Sequence, residues 1–158
     1  MKSIMKSMFG LQIAAMLLTA ALAGPTAAAQ QVPFKGSVQN VESFDLQFPT
    51  LFVDAIGTGE ATHLGRFTVT YEVEVNLLTN TSIGSAHFVA ANGDSVFTEF
   101  TGEGTADPEV VLEMYTIIGG TGRFAGATGS FTLVRHLTLV SPVAGTSEAS
   151  IDGTIVID

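Results

Sequence analysis

An all-β fold, a sandwich or barrel of eight or nine antiparallel strands, is what the sequence predicts, and three observations predict it. The segment RFTVTYEVEVN alternates strictly, with Phe67, Val69, Tyr71, Val73 and Val75 on one face and Thr68, Thr70, Glu72, Glu74 and Asn76 on the other. Such period-two patterning, rich in β-branched and aromatic side chains, marks a strand with one packed and one wet face. Turn-forming residues recur at about 8–12-residue spacing, which is the rhythm of a sandwich or barrel. Beyond residue 29, no stretch carries an apolar helical period ten residues long.

The chain opens on a segment that reads as an address. Lys2 and Lys6 give a positive start, Leu11 to Leu22 a short apolar run, and Ala27-Ala28-Ala29 a small-residue cleavage site, with Ala21-Leu22-Ala23 as a second. This predicts a signal peptide over residues 1–29, cleaved between Ala23 and Ala29, and a secreted or periplasmic mature protein. The apolar run is shorter than the roughly 20 residues of a membrane span and ends at Gly24-Pro25, so no membrane span is expected after cleavage. Removal of Lys2 and Lys6 takes the formal net charge from −9 to −11, leaving Lys35, Arg66, Arg123 and Arg135 as the fixed cations. So acidic a chain is a poor match for phosphate backbones, and nucleic acid is not an expected partner. The absence of cysteine removes disulfides, thiol nucleophiles and thiolate metal sites together. Stability must then come from the core, which suits a closed β structure.

In the mature part, residues 30–158, a single domain is expected. Phe34 to Val38 reads as a first strand and Val41 to Phe48 as a second, with Phe44, Leu46 and Phe48 on one side. Leu51 to Ile56 reads as a connector or short strand, and the strongly alternating strand then closes at Asn76. Asn80-Thr81-Ser82 fits a glycosylation pattern but is read as a polar turn. Ser82 to Ala91 and Asp94 to Thr105 flank Asn92-Gly93, a strong hairpin signal because both positions tolerate positive φ. Ser147 to Asp158 forms the last strand, with Ala149, Ile151, Gly153, Ile155 and Ile157 on one face.

The organising stretch is EVVLEMYTIIGGTGRFAGATGSFTLVRHLTLV, two strand-like runs joined by a glycine-dense corner from Gly119 to Gly129. Gly120-Thr121-Gly122-Arg123-Phe124-Ala125 satisfies the dinucleotide fingerprint G-x-G-x-x-A. That fingerprint needs a long helix behind it to hold a pyrophosphate, and about five residues before the next glycine pair leave no room for one. A tight, partly helical turn with Phe124 beneath it and Arg123 in solvent is the expected structure. GGTGRFAGATGSF after a strand resembles the hairpin signature of the allene oxide cyclase and dirigent barrel superfamily. The resemblance implies an eight-stranded antiparallel barrel, frequently a trimer, with an apolar cavity. It further implies cofactor-free chemistry on small oxidised lipids or phenoxyl radicals. It carries over no catalytic residue to this chain.

Residues able to carry chemistry are few. His63, His87 and His136 fall on separate predicted strands without metal-site spacing, so no metal is expected. Glu72 with Glu74, and Glu99 with Glu103, are same-face carboxylate pairs that read as solvated faces rather than a glycosidase pair. No G-x-S-x-G elbow is present. Arg135 is the anomaly, because alternation places it with Phe131, Leu133, Leu137 and Leu139, where an unpaired charge is costly. By the same parity Glu113 lies with Val111, Tyr115 and Ile117 on the neighbouring strand. Arg135, Glu113 and Tyr115 are therefore the candidate ligand-binding patch, able to orient a carboxylate-bearing ligand or to act as acid and base. The alternative for the same residues is an exposed salt bridge of little consequence. The expected function is binding of a small apolar or amphipathic molecule by an exported barrel. A cofactor-free isomerase or cyclase, and a structural or assembly protein, are the alternatives.

Overall fold

The computed structural model describes residues 29–158; the expected leader and its cleavage points, apart from Ala29, lie outside them. Eight strands run in sequence order: β1 (Gln30–Gln47), β2 (Thr50–Ala61), β3 (Gly65–Asn76), β4 (Thr81–Ala90), β5 (Ser95–Gly104), β6 (Val110–Gly120), β7 (Thr128–Ser141) and β8 (Ala144–Ile157). Each pairs antiparallel with the next, and β8 returns to β1 to close the barrel. Closure removes every free sheet edge, which the cysteine-free chain requires of its backbone alone.

Side chains alternate between lumen and solvent along every strand, as a barrel demands. β3 follows its sequence pattern residue for residue, with Phe67, Val69, Tyr71 and Val73 buried. Near the N-terminus the sequence expectation needs correction. Phe34–Val38 and Val41–Phe48 are one continuous strand, β1, because Gln39 and Asn40 pair with both neighbours, Thr58 and Gly57 on β2 and Glu148 and Ser147 on β8. No turn residue interrupts them. Leu51–Ile56 is likewise no connector but part of the twelve-residue β2. Leu46 keeps the parity of Phe44 yet is exposed near the end of β1, and Phe48, expected to end a strand, lies beyond β1 in the turn to β2 and is exposed. The Asn92-Gly93 hairpin has a longer turn than expected, Ala91–Asp94, and only Gly93 takes positive φ, at 90°.

The glycine corner between β6 and β7 holds one short 3-10 turn, Gly122–Phe124, with Phe124 fully buried beneath it. Three residues of helix cannot serve as a pyrophosphate platform. Arg123 lies exposed with its guanidinium 4.8 Å from the Phe124 ring centroid and 3.7 Å from Asp94.

Eight strands leave a lumen just wide enough for side chains to fill it. A column of aromatic rings does so here. Phe100 stacks on Tyr115 at 4.4 Å, Tyr115 on Phe131 at 4.7 Å, and Phe131 meets Phe34 at 5.1 Å. Phe88 packs edge-on against Phe67, Tyr71, Tyr115 and Phe131. Room for these rings comes from glycine on facing strands: Gly84 pairs directly with Phe100, and a Cβ there would lie 2.5 Å from the ring.

The barrel has two different ends. At one lie the β2–β3, β4–β5 and β6–β7 turns and both strand termini. At the other, the four remaining turns are stitched together by backbone hydrogen bonds, Leu77 N to Pro49 O, Gly104 N to Asn80 O, Leu137 N to Glu109 O and Phe44 N to Val143 O. This second end, the collar, carries Leu46, Phe48, Leu78, Val140 and Val143, all 61–72% exposed.

Candidate functional site

The candidate residues lie on the lumen side, one layer below the collar. Glu113 and Tyr115 point inward from β6 and Arg135 from β7, so the exposed alternative does not apply: Glu113 is 3% and Tyr115 1% exposed. Arg135 Nη2 stands 3.1 Å from Glu113 Oε1, and the Tyr115 hydroxyl donates to Glu113 Oε2 at 3.0 Å. The three predicted residues therefore form one connected cluster.

Four more residues complete it that the sequence had not singled out. Glu42 on β1 accepts two hydrogen bonds from Arg135 Nη1, at 2.7 and 2.8 Å, and is 2% exposed. Ser147 on β8 donates to Glu42 Oε1 and accepts from Asn40 Nδ2 at 3.1 Å. Tyr71 on β3 faces the same space. Glu42 was legible in principle. It falls in the expected Val41–Phe48 strand on the phase of Phe44 and Leu46, the same anomaly that exposes Arg135.

One guanidinium thus bridges two carboxylates in a desolvated lumen, a charge-assisted network of the stronger kind. Burial pushes the Glu113 carboxyl above its ordinary value, with Glu42 adding to the rise, while Arg135 and the Tyr115 hydroxyl pull it back only in part. Burial also raises Tyr71 and Tyr115, and the negative charge of Glu113 raises both further. Burial by itself would lower Arg135, but Glu113 and Glu42 outweigh that and hold it above its usual range. The arginine is therefore a fixed cation, and the Glu113 carboxyl holds a proton more readily than an ordinary glutamate.

Beside this network lies a small cavity lined by Asn40, Val53, Tyr71, Leu133 and Arg135, among others, with about 10 Å³ open to the centre of a water-sized sphere. Around it the lumen is packed with the core side chains. Two larger concavities, of about 910 and 900 Å³, lie on the outside of the barrel. Arg66, His136 and Glu148 border the first, and Asp54, Glu72, Glu74 and Glu99 the second.

The other sequence candidates fall elsewhere. His63 is not on a strand but in the β2–β3 turn, at φ 64°, since the chain reverses there. His87 stacks on Phe97 at 4.7 Å from the outer face of β4, and His136 is exposed on β7. Among the described residues no group of three His, Asp or Glu is placed to hold a metal ion. Glu72, Glu74, Glu99 and Glu103 are all exposed on the outer face. No family model matches this chain, and no curated protein is significantly similar to it.

Proposed function

We propose that this chain is an exported small-molecule-binding barrel related to the allene oxide cyclase and dirigent superfamily. In this reading an amphipathic ligand enters at the collar and places its polar end at the Arg135 cluster. One observation carries it. Arg135 is 11% exposed where its carboxylate partners are 1% and 3%, so the buried network offers one accessible face. The inward-facing residues on the collar side of that face, Phe44, Leu51, Val75, Val111 and Leu137, are only half-buried. A ligand's apolar part displaces these at less cost than the packed rings below. The leader read in residues 1–29 supports export.

The filled lumen favours a second reading, a structural or assembly protein. The lumen cavity admits the centre of a water-sized sphere over only about 10 Å³, so it is no preformed chamber for a whole ligand. Native mass spectrometry of protein recovered from the exported fraction separates the two. A bound small mass on a chain beginning between Ala23 and Gln30 is the expected result, with subunit number read from the same spectrum. Bare chains in ordered assemblies refute ligand binding in favour of the structural role. A retained leader refutes cleavage.

A further inference from the structure

We infer that the cavity beside Arg135 is a seat for one uncharged hydroxyl group, so that the barrel selects an amphipathic alcohol over a carboxylate or an amine; this deepens the ligand-binding reading above and rests on it. Among the described residues five buried polar atoms have no protein partner; Ser82 Oγ and His87 Nε2 lie elsewhere, and the other three are the Tyr71 hydroxyl, Asn40 Oδ1 and Arg135 Nε. The residues bearing these three line a single cavity. Tyr71 and Asn40 are each more than nine-tenths buried. Buried polar groups of a folded protein are nearly always satisfied, so three on residues that line one cavity point to an occupant.

The size of the space and the chemistry of the three atoms define that occupant. About 10 Å³ for the centre of a water-sized sphere admits one oxygen-sized group. The Arg135 Nε–H only donates, Asn40 Oδ1 only accepts, and the Tyr71 hydroxyl does either. A hydroxyl oxygen satisfies all three, because it both accepts and donates. A carboxylate has no proton for Asn40. It also brings a third negative charge to Glu42 and Glu113, whose single cation already has Nη1 on Glu42 and Nη2 on Glu113. An ammonium has no lone pair for Nε–H and is repelled by the guanidinium. Val53, Ala55, Val73 and Leu133 form the apolar wall against which the carbon bearing the hydroxyl packs. Of the two roles read from the sequence for this patch, orienting a carboxylate-bearing ligand or acting as acid and base, the first thereby gives way to binding an alcohol. Water shares the hydroxyl's chemistry and is the competing source.

The test uses three chain-matched probes, octan-1-ol, octanoate and octylamine, with binding to the purified protein followed by calorimetry at neutral pH. Octan-1-ol is expected to bind about tenfold tighter than either ion, and Tyr71→Phe to remove about that advantage. Tyr71→Phe deletes a hydroxyl with no protein partner, so it leaves folding intact and its melting temperature serves as the check. A crystal structure of the alcohol complex is expected to place the hydroxyl oxygen between Tyr71, Asn40 and Arg135. Octanoate binding as tightly as the alcohol overturns this inference while leaving the ligand-binding reading intact. An ordered water retained in the seat, with no probe bound, overturns both. Unchanged alcohol affinity in Tyr71→Phe overturns the seat alone.

Discussion

Replacing Arg135 with methionine removes the one cation from a site that keeps both its anions. Met fills most of the volume of the arginine stem, so the packing change is small and the electrostatic change dominates. Glu42 loses two charge-assisted hydrogen bonds, of 2.7 and 2.8 Å, and Glu113 loses its 3.1 Å ion pair. Both carboxylates stay desolvated, at 1% and 3% side-chain exposure. Breaking such a pair by deleting one partner costs about 3–5 kcal/mol. For a barrel of this size that is a fall in Tm of roughly 10–20 °C. The assay is thermal and urea unfolding followed by circular dichroism at pH 7. Lys35→Met is the control, since the Lys35–Asp152 pair is 61% and 69% exposed and screened by solvent. Its loss is expected to cost under about 0.5 kcal/mol. Adding Glu42→Gln and Glu113→Gln to Arg135→Met removes the stranded charges and is expected to recover most of the loss. An Arg135→Met cost within that of the control refutes a desolvated network. A cost that neutralising both carboxylates does not relieve refutes the electrostatic account in favour of lost packing.

Two further outcomes follow from the same geometry. Because burial raises the Glu113 value in the folded protein, the native state holds a proton there at pH values where the unfolded chain has released it. Stability from this group is full below the ordinary glutamate range and declines as pH rises through the raised value, with Arg135, Glu42, Tyr71 and Tyr115 facing it. Urea midpoints between about pH 4 and 8 should therefore fall more steeply with pH for the wild type than for Glu113→Gln; parallel curves, or a shallower wild-type one, contradict the assignment. Gly84→Ala puts a Cβ 2.5 Å from the Phe100 ring and 2.6 Å from the Glu72 carbonyl oxygen. It is expected to cost about 1–3 kcal/mol by overpacking, read as a lowered Tm, and a change below about 0.5 kcal/mol would show that Phe100 is not pinned there.

How much of this was legible in the sequence depends on whether a residue's role is local. β3 was plain because each of its residues reports its own face, and the β6–β7 corner because five glycines crowd eleven positions. Arg135 and Glu113 were found by the same logic, as polar residues in an apolar phase on adjacent strands. Other features depend on pairings that run far along the chain. β1 is one strand only because both β2 and β8 hold it through Gln39 and Asn40, and no local propensity at those two residues announces that.

The cluster's composition carries the same point into function. Asn40, Glu42 and Ser147 meet through the β1–β8 closure, between residues more than a hundred positions apart. A reader of the sequence sees one arginine with one carboxylate and concludes that the cation has a free side for an anionic ligand. Closing the barrel brings the second carboxylate, so that Nη1 and Nη2 each face one. The buried Nε has no protein partner, nor have the Tyr71 hydroxyl and the Asn40 amide oxygen. The number of charges around Arg135, rather than its presence, decides what the site can take, and that number is fixed by topology. That count is why the seat inferred above is assigned a neutral group that donates and accepts rather than the carboxylate that Arg135 and Glu113 alone suggest.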